Sequence, residues 1–95
     1  MISDISCTKA RELLDQGAQL VDVRSQMEFQ RGALPGAVNV PLEVINGAHQ
    51  HLDSDRPVIL YCVTGRRSGH AKMLLQSMGY ESVHNLGSFR NFHSC

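Results

Sequence analysis

An excess of charge of either sign is missing from this chain: nine Lys and Arg balance nine Asp and Glu over 95 residues, and the sequence pI is near 7.0. The field of the whole molecule gives no reason to invoke nucleic acid or an anionic membrane as partner, so any charge effect must be local. Long apolar runs are missing too. No stretch approaches the roughly 18 to 20 apolar residues of a membrane span, and the segment from Met1 to Ser6 has no basic cluster followed by an apolar run. A soluble, cytoplasmic protein is expected. Paired cysteines are scarce: Cys7, Cys62 and Cys95 are odd in number and widely spaced with no C-x-x-C, which argues against a disulfide framework and a zinc ribbon and predicts at least one free thiol. Repeats, linkers and low-complexity stretches are likewise absent. With 42% hydrophobic content, residues 1–95 are expected to bury the core of one domain.

What is present alternates. Ile2 to Ser6 reads as a short strand, and Ser6 or Thr8 as the cap of a helix carrying Ala10, Leu13 and Leu14 until Gly17 stops it. Gln19 to Val23 reads as a strand with Asp22 as its odd polar member, followed by Arg24, the capping residue Ser25 and a short helix from about Gln26 to Arg31. Ala37 to Val40 is a brief strand, and Pro41 suits the first position of a helix running towards Leu52. Val58 to Tyr61 is continuously apolar, the pattern of a central strand buried on both faces. A helix from Ser68 to Met78, closed by Gly79, and a strand from Ser82 to Leu86 complete the series, and the tail from Gly87 to Cys95 has room for one helical turn. The predicted class is α/β, with a mainly parallel sheet and helices on both faces.

Cys62 stands at the end of the central strand and opens Cys62-Val63-Thr64-Gly65-Arg66-Arg67-Ser68, directly before a helix. Unpaired amides and the positive end of the helix dipole favour a thiolate there. Lowering a thiol pKa by about two units takes roughly 2.7 kcal/mol, more than a dipole supplies alone, so several amides must point at the sulfur. Gly65 can take a positive φ and turn the amides of residues 63 to 68 inward as an anion cradle. Arg66 and Arg67 point in different directions in so tight a loop: one braces it and the other faces the mouth. Thr64 and Ser68 could donate to the sulfur or cap the helix, and capping is the expected role of Ser68.

These segments together resemble the rhodanese family of sulfurtransferases, over nearly the whole chain. Leu20-Val21-Asp22-Val23-Arg24 is similar to the family's Asp-x-Arg strand end, Glu28 through Pro41 to its Gly-His-Ile-Pro-Gly-Ala stretch, and residues 62–68 to its active loop. The resemblance implies one rhodanese-like domain over 1–95, in which Cys62 takes sulfane sulfur from a donor such as thiosulfate as a persulfide and passes it to cyanide or another thiophilic acceptor. It implies Val63, Thr64, Gly65, Arg66, Arg67 and Ser68 as the substrate-binding loop, Asp22 and Arg24 as supports, and no metal or organic cofactor. Its partners would be a small sulfur donor and a thiophilic acceptor, with a protein persulfide as a further donor or recipient. Departures stand at Ala33, where the family often has His, at Val63, where many members have Arg, and at Gly87-Ser88-Phe89, where a Gly-Gly pair leading to a Trp-containing helix is common.

Blander readings apply elsewhere. Cys7 is expected to be a packing residue and Cys95 an incidental exposed thiol, the alternative for Cys95 being a resolving partner for Cys62. Asp22 is expected to act as a structural hydrogen-bond acceptor. His49 with His51, and His93 with Cys95, lack further ligands at metal spacing, and His70 suits the surface. Three rival functions compete: a Cys-x5-Arg phosphatase, disfavoured because Arg67 makes the spacing Cys-x4-Arg and no general acid is evident; a docking module without catalysis; and a persulfide carrier serving a protein acceptor.

Overall fold

The computed structural model describes residues 3–95. Four parallel strands, β1 (Gln19–Asp22), β2 (Val38–Asn39), β3 (Val58–Cys62) and β4 (Val83–Ser88), form one sheet in the order β2-β1-β3-β4. Three α-helices, α1 (Cys7–Asp15), α2 (Gln26–Gln30) and α3 (Arg66–Ser77), and two 3₁₀ segments, Leu42–Gln50 and Phe89–His93, complete the described chain. The chain runs outward from β1 to β2 on one side and from β3 to β4 on the other. The direction of winding therefore reverses between β1 and β3, and at such a reversal the loops leaving the strand ends diverge and open a crevice.

All five residues of β3 are buried, and the two-residue period of a strand decides where each side chain goes. Val58, Leu60 and Cys62 enter a core with Val21, Val23, Ile45, Ala48, Leu52, Ala71, Leu75 and Tyr80. Ile59 and Tyr61 enter the opposite core with Ala10, Leu20, Leu34 and Leu86, against which Leu13, Leu14, Phe89 and Phe92 pack. Helix α3 and the segment Leu42–Gln50 thus cover one face, and α1 with the C-terminal turn covers the other, as the α/β pattern predicts.

Local chemistry sets the ends. The Ser6 hydroxyl accepts from the Lys9 amide and caps α1, and Ser25 with Glu28 forms a reciprocal capping box that starts α2. The helix expected after Pro41 is instead 3₁₀, with Pro41 outside its first turn and a kink at Val44 (φ −119°, ψ 19°). Val44, Asn46 and Gly47 are all poor α-helix formers, which explains the looser geometry. Of the strand expected at the N-terminus, Ile2 lies outside the described residues. Asp4 makes a single rung against β4: its amide donates to the Asn85 carbonyl at 2.9 Å, while its carboxylate accepts from the Asn85 amide at 2.8 Å. Among the described residues no helix is long and apolar enough to cross a membrane.

The structure corrects the reading of two cysteines. Cys7 and Cys95 form a disulfide, so Cys7 is more than a packing residue, and Cys95 is neither an incidental thiol nor available to resolve Cys62. Their separation of 88 residues hid the pairing. Only the fold brings the start of α1 beside the C-terminal turn, where Arg11 also donates to the Phe92 carbonyl at 2.6 Å and lies over the Phe92 ring. A cross-link closing so long a loop stabilises a domain by about 2–4 kcal/mol. Reduction, or Cys95→Ser, is expected to lower the melting temperature by on the order of 10 °C, with the variant's melting no longer responsive to reductant. Identical melting of oxidised and reduced protein would show that the bond carries no stability.

Candidate active site

Cys62 ends β3 and is the one free cysteine among the described residues, buried with 1% of its surface exposed. Gly65, at φ +96° and ψ −3°, occupies the cap position of α3 in the left-handed region that favours glycine. That turn brings the Gly65 amide to donate to Cys62 Sγ at 3.0 Å, and the first turn of α3 brings Ser68 Oγ to 3.3 Å from the same sulfur. Burial is the strongest single influence on the thiol and pushes its pKa up; the Ser68 hydroxyl and the amides of Ser68, Gly65 and Thr64 pull it down and prevail, leaving it below the ordinary value. The cradle is narrower than residues 63 to 68, because the Arg66 amide turns to Thr64 Oγ1 at 3.3 Å. Ser68 is not the helix cap, since α3 begins at Arg66, and it lies fully buried against the sulfur.

The two arginines divide as the loop geometry requires. Arg67 grips Glu28 of α2 with two bonds, 2.7 and 3.0 Å long. Arg66 is exposed to solvent, as are Val63 and Thr64. The Arg67 guanidinium, helped by the Ser25 bonds, lowers the Glu28 pKa to about 2. Glu28 therefore fastens α2 to the Cys62 loop while also closing its own helix cap.

Beneath the loop, Asp22 and Arg24 form a buried pair. Arg24 Nε lies 3.0 Å from both carboxylate oxygens, and its Nη2 donates to Asp22 Oδ2 and to the Gly32 carbonyl, each at 2.7 Å. The Tyr61 hydroxyl donates to Asp22 Oδ2 at 2.7 Å and accepts from the Leu34 amide at 3.0 Å. Burial, then the Asp22 carboxylate, raises the Tyr61 pKa and keeps it neutral as a donor. This network joins the end of β1, the residue before Cys62 and the loop at 32–34, so Asp22 is the structural acceptor expected. Beside it opens a cleft of about 440 Å³, lined by Arg24, Glu28, Arg31, Leu34, Phe89 and His93 among others. Cys62 does not line it; the cleft reaches the loop through Glu28 and its partner Arg67.

Two residues escaped the sequence reading. Glu28 was legible as part of a capping box, Ser25-x-x-Glu28, but its grip on Arg67 spans 39 positions. Asn85, a polar residue buried in β4 between His84 and Leu86, is 2% exposed and accepts from the Ser68 hydroxyl at 2.6 Å. His49 stacks on Tyr80 and His93 lines the cleft, and among the described residues no metal-binding group of three or more His, Cys, Asp or Glu is assembled.

A parallel sheet with a buried, hydrogen-bonded thiol at the junction of strand and helix defines a class of α/β domains with a strand-end cysteine. Within it, residues 6–95 match the family described as rhodanese-like domain, and the chain belongs to the rhodanese-like sulfurtransferase family. It is 40% identical to YqhL of Bacillus subtilis over 76 residues, 79% of this chain and 60% of that protein, so the match spans less than two thirds of that relative's length. The thiosulfate sulfurtransferase PspE of Escherichia coli is 37% identical over 73 residues, 75% of this chain and 70% of that protein. The solved human single-domain sulfurtransferase TSTD1 superposes with a TM-score of 0.79 at 28% identity, covering 98% of this chain and 96% of the other.

Breaking the buried pair should be costly. Asp22→Ala leaves Arg24 without its counter-charge and is expected to destabilise the fold by about 3–5 kcal/mol, measured by denaturant unfolding; a loss below about 1 kcal/mol would place the network outside the stability of the fold. The Glu28–Arg67 pair acts on pH. A carboxylate whose folded pKa is depressed from 4.5 to about 2 contributes stability that is present above the unfolded value and is lost as pH falls towards the folded one. Melting temperature should therefore fall between about pH 5 and pH 2, and less steeply in Glu28→Gln. Parallel acid profiles for the two proteins would contradict this.

Proposed function

We propose that residues 1–95 act as one rhodanese-type sulfurtransferase domain, with Cys62 as nucleophile and sulfur carrier. The observation that carries the reading is the Cys62 sulfur, buried yet in contact with the Gly65 amide and the Ser68 hydroxyl, with its pKa drawn below the ordinary thiol value. With thiosulfate as donor, the thiolate attacks the outer sulfur. The donor's S–S bond breaks and leaves its electron pair on sulfite, a new bond joins Cys62 Sγ to the transferred sulfur, and the negative charge passes to that outer atom. Attack by cyanide or a thiolate on the outer sulfur then returns the bonding pair to Cys62. Both steps are displacements at sulfur through a covalent intermediate, and the Gly65 amide, already aimed at the sulfur, stabilises the anion without rearranging. Asp22 and Arg24 support the loop in this scheme, Arg67 braces it, and Arg66 with Val63 and Thr64 meets the donor at the exposed mouth.

A persulfide carrier that serves a protein acceptor is the second reading, favoured by the apolar, exposed Val63 at the mouth. Slow turnover on cyanide combined with rapid transfer to a protein persulfide acceptor would select it. The cytoplasmic location expected from the sequence would hold Cys7 and Cys95 reduced. The disulfide instead favours an oxidising compartment, and alkylation at the moment of cell lysis decides between them: three labelled thiols indicate the former and one the latter.

Incubation with thiosulfate should add one sulfur atom to the intact mass, removable by cyanide. Cys62→Ala should abolish the gain with the fold retained, and Gly65→Val, strained at positive φ, should lose most of it. An unchanged wild-type mass with thiosulfate and with low-molecular-weight persulfides would overturn the sulfurtransferase reading.

A further inference from the structure

The Ser68 hydroxyl owns one proton and faces two acceptors. Asn85 Oδ1 lies 2.6 Å from Ser68 Oγ, whereas Cys62 Sγ lies at 3.3 Å. Asn85 cannot turn its amide away. Its Nδ2 donates to the Gly65 carbonyl at 3.0 Å, and its Oδ1 also accepts from the Gly87 amide at 2.9 Å, so the oxygen is fixed as the atom that meets Ser68. The strand is shaped for this purpose: Leu60 pairs with Asn85 but Tyr61 with Gly87, which leaves Leu86 as the extra residue of a bulge. A bulge re-aims the side chains beside it, here bringing Asn85 from β4 under the loop of Cys62. Asp4 holds the Asn85 backbone from the other side.

We propose that Asn85 is a positioning residue for Cys62, holding the Ser68 hydroxyl proton while the sulfur is a neutral thiol and releasing it to the sulfur when the thiolate forms. In the neutral state the S–H donates to Ser68 Oγ, and Ser68 donates to Asn85. A thiolate can only accept, so Ser68 must rotate its O–H towards the sulfur, and Asn85 Oδ1 keeps the Gly87 amide as its remaining donor. Each arrangement satisfies every donor, and the strength of the Asn85 acceptor sets the balance between them. The charged groups nearby act differently. Arg67 is paired to Glu28, Arg24 to Asp22 and Lys72 to Asp4, and among the described residues Ser68 bonds only to Cys62 and Asn85 through its hydroxyl. Those charges reach the sulfur as a field, Asn85 through a shared proton.

The proposal rests on Cys62 being the reacting thiolate, and its test uses no sulfur donor, so its failure is distinct from failure of the transfer reading. The titration of Cys62 is followed by thiolate absorbance and by the pH profile of iodoacetamide alkylation, with the protein otherwise intact and Cys7–Cys95 oxidised. Asn85→Asp, a stronger acceptor for the Ser68 proton, should slow alkylation at neutral pH by roughly fivefold or more, through a smaller thiolate fraction. In a Ser68→Ala background, where only the added field and the lost Gly65 contact remain, the same substitution should have less than half that effect on the titration midpoint. Equal shifts in both backgrounds, or no shift in either, would overturn the proposal. Should Asn85→Asp fail to fold, the wild-type protein answers directly: the Asn85 side-chain amide resonances should move with the Cys62 titration, and by much less in Ser68→Ala. Resonances that stay flat, or move equally in both proteins, would sink it.

Discussion

Burying a sulfur among donors that lower its pKa is the constraint on which the rest of this structure depends. Cys62 is almost wholly out of water, and removal from water alone would keep it a neutral, unreactive thiol. Groups placed around the sulfur reverse that balance: the amides that converge on it because Gly65 takes a left-handed turn, and a hydroxyl within reach that the first turn of α3 brings round. Neither could be placed by a flexible loop at small cost in entropy, so the loop must be rigid. Its rigidity comes from the elements around it.

Three supports act from three directions. Arg67 ties the loop to α2 through Glu28, Asn85 ties Gly65 and Ser68 to β4, and Tyr61, the residue before Cys62, hydrogen-bonds to the buried Asp22–Arg24 pair. The polar groups in these supports are spent on one another: Asp22 accepts from Arg24 and Tyr61, and Tyr61 in turn accepts from the Leu34 amide. Among the described residues no buried side-chain nitrogen or oxygen is left without a partner, as buried polar networks require if they are not to destabilise the fold. The cleft beside the loop is bounded by residues of these same supports, Arg24 and Glu28, so forces that hold the sulfur in place also shape the space next to it.

Much of this was legible from residue order. The continuous apolar run at Val58–Tyr61, with its β-branched members, has the pattern of a strand buried on both faces, which places the thiol that follows it at a strand end. The helix starting signal at Ser25 and the stop at Gly17 were local and read correctly. The 3₁₀ geometry after Pro41 was signalled by Val44, Asn46 and Gly47, but Pro41 read as the first position of a helix set the expectation instead. Ser68 was assigned to a cap because hydroxyls near helix starts usually serve there, whereas α3 begins two residues earlier and rotates Ser68 inward.

What the order of residues settled by itself was local and periodic: the alternation of strand and helix, the position of Cys62, and the glycine that lets the loop curl. Hydrophobic period and backbone freedom are properties of neighbouring residues, so the chain carries them wherever it goes. Partnership across distance was decided only in three dimensions. Cys7 meets Cys95, Arg67 meets Glu28 and Ser68 meets Asn85 because the sheet order β2-β1-β3-β4 and a one-residue bulge bring those side chains within hydrogen-bonding or bonding reach. A hydrogen bond or disulfide depends on ångström-scale position, and no spacing along the chain encodes that.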